Sequence, residues 1–309
     1  MQTRTIGELE VSLVGLGCNN FGTRCDQDTV DGMIFACLDT GINFFDTADV
    51  YGNGASEEML REALGRNRDE VVIATKFGLR GMDFGLTGGS PEWVNVAVDR
   101  SLRRLGTDWI DLFQLHTPDP ETDIDDTLAA LHELVVAGKV REIGCSNFGA
   151  DLLDNAAESA KRNHFTSFAS VQNRYSVLHR EPEGEVFEVC TERGITFLPF
   201  FPLESGLLTG KVGTDGPTPG TRLADWSEDR VADFLSDDKR RRAHRLTEFA
   251  RSQGRSLLEL AFSYLASQPQ VPSVIAGATS PHQVLANAEA AGWVMSADDL
   301  SEIDGISSS

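Results

Sequence analysis

Short apolar runs alternate with amphipathic stretches along this chain, eight of each, and that pattern leaves few folds open. The apolar runs begin near Leu13, Ile42, Val71, Trp109, Arg141, Phe168, Thr196 and Ser273. Each is short, rich in β-branched or aromatic residues and followed by a turn, as buried strands are. Helix candidates lie near 28–40, 56–65, 91–105, 124–138, 150–163, 184–193, 256–268 and 281–290. Eight strand–helix units with mostly short links predict an α/β fold, a parallel sheet closed into a (β/α)8 TIM barrel. The 309 residues suit one such domain over 1–309. An N-terminal β-hairpin precedes it: Thr3-Arg4-Thr5, a turn at Gly7-Glu8, then Leu9-Glu10-Val11. Ser56 reads as an N-cap before Glu57, Pro91 and Pro281 follow Ser90 and Ser280 at first-turn positions, and Gly106 and Gly138 read as helix stops. Two links are long, 78–90 and 205–238, the second followed by an extra helix near 239–253. Both follow strands, and barrels of this kind build their sites from such loops at the C-terminal face.

Composition narrows the partners. With 48 acidic against 27 basic residues, the net charge of -21 argues against nucleic acid or an anionic membrane surface. No apolar run approaches the ~18 residues of a membrane span, and Met1–Ile6 lacks the basic-then-apolar order of a secretory leader. The five cysteines, Cys18, Cys25, Cys37, Cys145 and Cys190, form no CxxC pair and no cluster with His at metal-ligand spacing. No metal is expected, and an odd set of thiols fits a reducing, cytoplasmic setting.

Four ionisable residues carry the chemistry. Asp46, Tyr51, Lys76 and His116 follow the second, third and fourth apolar runs, so the barrel would bring them to one mouth. The chain has only five lysines, which makes Lys76 at the end of a buried strand conspicuous. Reduction of a carbonyl by a hydride donor needs a proton for the developing alkoxide. A free phenol titrates near pKa ~10. An adjacent ammonium favours its phenolate, a carboxylate keeps that ammonium charged in an apolar barrel, and an imidazole can orient the carbonyl oxygen. Tyr51, Lys76, Asp46 and His116 fill those roles in that order. A metal-dependent hydrolase would need several histidines converging on one ion, and of six only His116 stands at a predicted strand end.

The stretches Asp46-Thr47-Ala48-Asp49-Val50-Tyr51-Gly52, Ala74-Thr75-Lys76 and Leu115-His116 resemble the tetrad motifs of the aldo-keto reductases. The likeness runs from Gly15-Leu16-Gly17 to Val274–Pro281 and points to the bacterial branch that includes general stress reductases and potassium-channel β subunits. It implies an oxidoreductase that reduces an aldehyde or ketone, prefers NADPH with NADH possible, and uses Tyr51 as general acid. The alternative is a nucleotide-sensing regulatory subunit with little turnover. The resemblance also implies cofactor contacts. Cys18 and Asn19 fall at the nicotinamide ribose, and Ser146, Asn147 and Gln172 at the carboxamide. Phe200 matches the stacking position. Phe201 is the rival, since strand alternation lets only one of them face the cofactor. Pro202 and Leu203 follow as further cofactor contacts, Gly206, Leu208 and Lys211 fall in a stretch that resembles the family's diphosphate loop, and Arg222 aligns with a 2'-phosphate arginine. Gly277, Thr279, Gln283 and Asn287 fall around the adenosine, with Thr279 where relatives often place Arg or Lys. There is no GxGxxG, so a Rossmann site is not expected. Phe21, Val50, Phe84 and Trp226 are the candidates for substrate walls. The partner expected is a small carbonyl compound; monomer and weak homo-oligomer both stay open.

Overall fold

A computed structural model of the chain describes residues 1–79, 88–210, 222–227, 231 and 234–307. Strands β1 (Thr3–Ile6) and β2 (Leu9–Ser12) pair antiparallel, with Ile6 opposite Leu9, as the opening hairpin. Eight further strands follow: β3 (Val14–Gly17), β4 (Phe44–Asp46), β5 (Val72–Phe77), β6 (Ile110–Leu115), β7 (Val140–Ser146), β8 (Ser170–Arg174), β9 (Thr196–Phe200) and β10 (Val274–Gly277). They form one parallel sheet in the order β10-β3-β4-β5-β6-β7-β8-β9. Among the described residues no ladder joins β9 to β10, so the barrel is nearly rather than fully closed. The Phe197 amide donates across this seam to the Gln270 carbonyl at 2.7 Å.

Helices alternate with the strands: α1 (Gln27–Thr40), α2 (Ala55–Leu64), α3 (Pro91–Leu105), α4 (Ile124–Val136), α5 (Ala150–Asn163) and α6 (Glu185–Arg193). Then come α7 (Asp237–Ser252), α8 (Leu257–Ala266), α9 (Pro281–Ala290) and α10 (Ala297–Ser307). Ser90 and Ser280 cap α3 and α9 as their spacing suggests, accepting from the amides of Trp93 and Gln283. Ser56 does not cap α2. It lies inside the helix, which starts beyond Gly54, and its buried hydroxyl bonds Thr47 Oγ1 at 2.8 Å and donates to the Cys18 carbonyl at 2.9 Å. Tertiary hydrogen bonding has taken over a serine that local pattern marks as a cap. Helix α10 has no counterpart in the sequence reading, because only Ile303, Ile306 and Ser307 of it are buried and its apolar period is weak.

Alternation along the strands decides what faces inward. Phe44, Val72, Ala74, Leu112, Leu198 and Ile275 meet inside the barrel, and the hairpin contributes Ile6, Leu9 and Val11 to the same cluster. Their neighbours Phe45, Ile73, Phe113, Val171 and Phe197 point out into the layer shared with the helices. The apolar cluster plugs the N-terminal end. Residues two positions further along each strand therefore face the open C-terminal mouth.

Candidate active site

The plug places the site. Asp46 follows Phe44 by two positions, Lys76 follows Val72 and Ala74, and His116 follows Leu112 and Gln114, so all three share the inward face. Tyr51 reaches the same mouth differently. It opens a 3-10 turn, Tyr51–Gly54, in which Gly52, Asn53 and Gly54 all take positive φ (56°, 57° and 93°). A Cβ on Gly52 would lie 2.9 Å from the Phe21 carbonyl, so only glycine admits this close passage.

Lys76 is fully buried, and its Nζ donates to Asp46 Oδ2 at 2.7 Å and to the Thr47 carbonyl at 2.9 Å. Its third contact is the Tyr51 hydroxyl at 3.5 Å. Burial alone would pull the ammonium pKa down; Asp46 and then Tyr51 outweigh it and hold Lys76 above its ordinary value. The His116 ring stands edge-on to Tyr51 with centroids 6.1 Å apart. Burial, helped by the Lys76 charge, pushes the His116 imidazole down to about 3, so it is neutral across the physiological range. Asp46 Oδ1 accepts from Gln172 Nε2 at 2.9 Å and from Gln114 Nε2 at 3.4 Å. The arrangement is thus a phenol beside a buried, charge-balanced ammonium, with a neutral imidazole across from it. It can hand one proton to a nearby oxygen and steady the phenolate left behind.

A cavity of about 640 Å³ opens over this cluster. Asp46, Tyr51 and His116 line it, and Lys76 sits beneath. Of the expected cofactor positions, Asn19, Ser146, Asn147, Gln172, Phe200, Pro202, Leu203, Gly206, Gly277, Thr279, Gln283 and Asn287 also line it. Cys18 and Leu208 are fully buried and do not; the Cys18 amide and the Leu208 amide are donated to the carbonyls of Asp46 and Leu203. Alternation turns Phe200 inward, since Leu198 belongs to the interior plug and Phe197 to the outer layer. Phe201 touches the cavity too but turns aside with φ 54°, packing edge-on against Phe200, Trp226 and Phe234. Of the wall candidates, Phe21 is fully buried below the mouth and Trp226 packs on Phe201 and Phe234. Neither they nor Val50 is among the cavity residues described. Lys211 and Phe84 lie outside the described residues, as does the Arg222 side chain, whose backbone opens the turn Arg222–Asp225.

Comparison with known proteins decides the family. The family model described as the aldo/keto reductase family matches residues 13–308. The chain belongs to that family. It is 33% identical to the aldo-keto reductase YhdN of Bacillus subtilis, over 96% of this chain and 90% of that one. It is 32% identical to a probable voltage-gated potassium channel subunit beta of Oryza sativa, over 94% and 91%. Among solved structures it is similar to the glycerol dehydrogenase AKR11B4 from Gluconobacter oxydans, with a TM-score of 0.86 at 28% identity, covering 98% of this chain and 94% of that one. The aldo-keto reductase AKR11C1 from Bacillus halodurans, in its holo form, matches with a TM-score of 0.82 at 30% identity, over 99% and 96%. An aldo/keto reductase is an NAD(P)H-dependent oxidoreductase, and this chain is one. Among the described residues no helix is long and apolar enough to cross a membrane.

This aldo/keto reductase also brings to its cavity residues that sequence reasoning passed over: Asn20, Arg24, Ser205 and His282. Helical spacing could have found His282, which shares a face of α9 with Gln283, Ala286 and Asn287. Gln114, fully buried and held against Asp46, was equally findable. It stands on β6 two positions before His116, which directly follows the strand, and so shares its face.

Proposed function

We propose that this aldo/keto reductase reduces aldehydes or ketones to alcohols with NADPH as hydride donor and Tyr51 as general acid. One observation carries the reading: a phenol hydroxyl 3.5 Å from a buried ammonium that is itself 2.7 Å from a carboxylate, at the floor of a cavity shared with His116. Tyr51 gives its proton to the oxygen of the carbonyl undergoing reduction. Lys76 stabilises the phenolate, and Asp46 keeps Lys76 charged where burial would otherwise discharge it. His116, pushed down to about 3, is neutral and so is not the acid. It holds the carbonyl oxygen through a ring N–H.

The nicotinamide supplies the hydride when bound. The cavity fits it. Asn19 Oδ1 is buried at its wall with no partner among the described residues, and Phe200 offers an inward-facing ring. Ser146, Asn147 and Gln172 would hold the carboxamide, and the turn from Pro202 to Gly206 the diphosphate. Gly277, Thr279, Gln283 and Asn287 would surround the adenosine, with Arg222 and Lys211 favouring NADPH over NADH. The five cysteines are free and buried, which accords with a cytoplasmic setting.

The test is steady-state NADPH oxidation against a panel of aldehydes and ketones, run beside Tyr51→Phe. The variant should lose about 10²–10⁴-fold in kcat while binding NADPH as before. Near-normal turnover by Tyr51→Phe would overturn the mechanism. Absence of turnover by the wild type on every carbonyl, with NADPH still bound, would favour a nucleotide-sensing subunit.

A further inference from the structure

The turn after β9 is strained in a way the chemistry at Tyr51 does not explain. Phe201, Glu204 and Ser205 take φ of 54°, 44° and 53°, all left-handed and none of them glycine. Such conformations persist only where the surroundings hold them, and they cluster at ligand sites. Glu204 is the residue held. Its side chain has no exposed surface, and its carboxylate accepts from three donors outside its own turn. Arg174 Nη2, at the end of β8, reaches Oε2 at 2.9 Å. Ser176 Oγ reaches Oε1 at 2.9 Å, and Lys239 Nζ, on α7, reaches Oε2 at 3.1 Å. A fully buried carboxylate is costly to place, and a neutral side chain would spare a surface turn that expense. The neighbours Ser205 and Gly206 line the cavity, and Ser205 Oγ is buried with no partner among the described residues.

We propose that Glu204 is a positioning residue for the cofactor. Its carboxylate clamps the left-handed turn to β8 and α7, so that Ser205 and Gly206 are already set where the dinucleotide's diphosphate comes to rest. The proposal rests on the reading of this cavity as the NADPH site. A preset turn spares the ordering that binding would otherwise have to supply, so its effect falls on affinity and not on the chemical step. Both nicotinamide dinucleotides share the diphosphate, so Glu204 does not discriminate between them.

Wild type, Glu204→Gln, Glu204→Ala and Lys239→Met are compared by fluorescence titration with NADPH and NADH. Turnover at saturating NADPH and thermal melting accompany the titrations. Glu204→Gln should raise the NADPH Kd about 10-fold, Glu204→Ala more, and Lys239→Met roughly 3-fold, with the same factors for NADH. The kcat at saturating NADPH should stay within about two-fold throughout. A cooperatively melting Glu204→Gln protein with wild-type Kd overturns the proposal, and so does a kcat that falls as far as the affinity. Should both Glu204 variants fail to fold, Lys239→Met decides, and a wild-type Kd there overturns it. Failure of the wild type to bind either nucleotide sinks the functional reading itself, whereas unchanged binding in the variants sinks only the role of Glu204.

Discussion

Asp49 lies two residues before Tyr51, nearly buried, with Oδ1 unpartnered among the described residues. Burial first, and then the charge of Glu57, push its carboxyl up to about 7, against the pull of Arg104. An unfolded aspartate titrates near ~3.9, so the fold holds this proton more tightly than the unfolded chain does. Its contribution to stability is therefore full at acid pH and is lost as the pH rises to about 7. Asp49→Asn should gain nothing at pH ~4. The gain should grow with pH to something on the order of 3 kcal/mol near pH ~7 and level off above it. Urea unfolding of both proteins across that range measures it, and a pH-independent difference would show that Asp49 is already ionised in the fold. His116 works in the opposite sense: held near 3, it withholds a proton that the unfolded chain takes up, so stability falls as the pH drops below ~6.5. At this scale Asp46, Tyr51, Lys76 and His116 were legible because their chemistry is conspicuous beside apolar runs. Gln114 could be placed on the face of His116 by spacing, but its bond to Asp46 could not be read, because one amide inside Trp109–Leu115 says nothing of which carboxylate it meets. For Trp226, aromatic character in a loop does not by itself distinguish a substrate wall from a packing anchor, and it packs on Phe201 and Phe234.

Among the elements, the opening hairpin does more than precede the barrel. Ile6, Leu9 and Val11 close its N-terminal end, and Arg4 ties the hairpin to the end of α8. Arg4 Nη2 donates to the Ala266 carbonyl at 2.7 Å, and Nη1 to the Val271 carbonyl at 2.5 Å. At Ala266, the last residue of the helix, the cation satisfies a carbonyl the helix cannot and suits its dipole, while Val271 lies in the link that follows. Arg4→Ala should cost roughly 2 kcal/mol of stability and speed amide exchange at Ile6, Leu9 and Val11. It should leave kcat untouched, because Asp46, Tyr51, Lys76 and His116, the groups proposed to react, lie at the other end of the barrel; a fall in kcat with the hairpin still protected would refute that separation. The hairpin was visible as two short apolar-alternating runs around Gly7-Glu8, but its role as a plug was not, since that depends on where the barrel's interior ends. Helix α10 escaped notice although Ser296 and Asp299 form a reciprocal cap, each side chain bonding the other's amide. What holds it is distant: Arg180 pairs with Asp304 at 2.8 Å, and Arg242 donates to the Ser307 carbonyl at 2.7 Å.

Across the whole molecule the net charge of -21 opposes compaction through self-repulsion, which salt screens. The melting temperature should rise between ~0.05 and ~0.5 M NaCl, and a flat or falling response would show that local pairs such as Arg180 with Glu183 have absorbed the repulsion. By itself the amino-acid order determined the alternation of strands and helices and the four ionisable groups Asp46, Tyr51, Lys76 and His116 just past the second, third and fourth strands. These follow from local periodicity and turn chemistry, which act over a few residues. Only the tertiary structure decided that Gln172 and Gln114 converge on Asp46, that Phe201 turns aside against Phe200, Trp226 and Phe234, and that Glu204 is buried among Arg174, Ser176 and Lys239. Those relations join residues up to 126 positions apart. Barrel closure, not any local preference, brings them within hydrogen-bonding range.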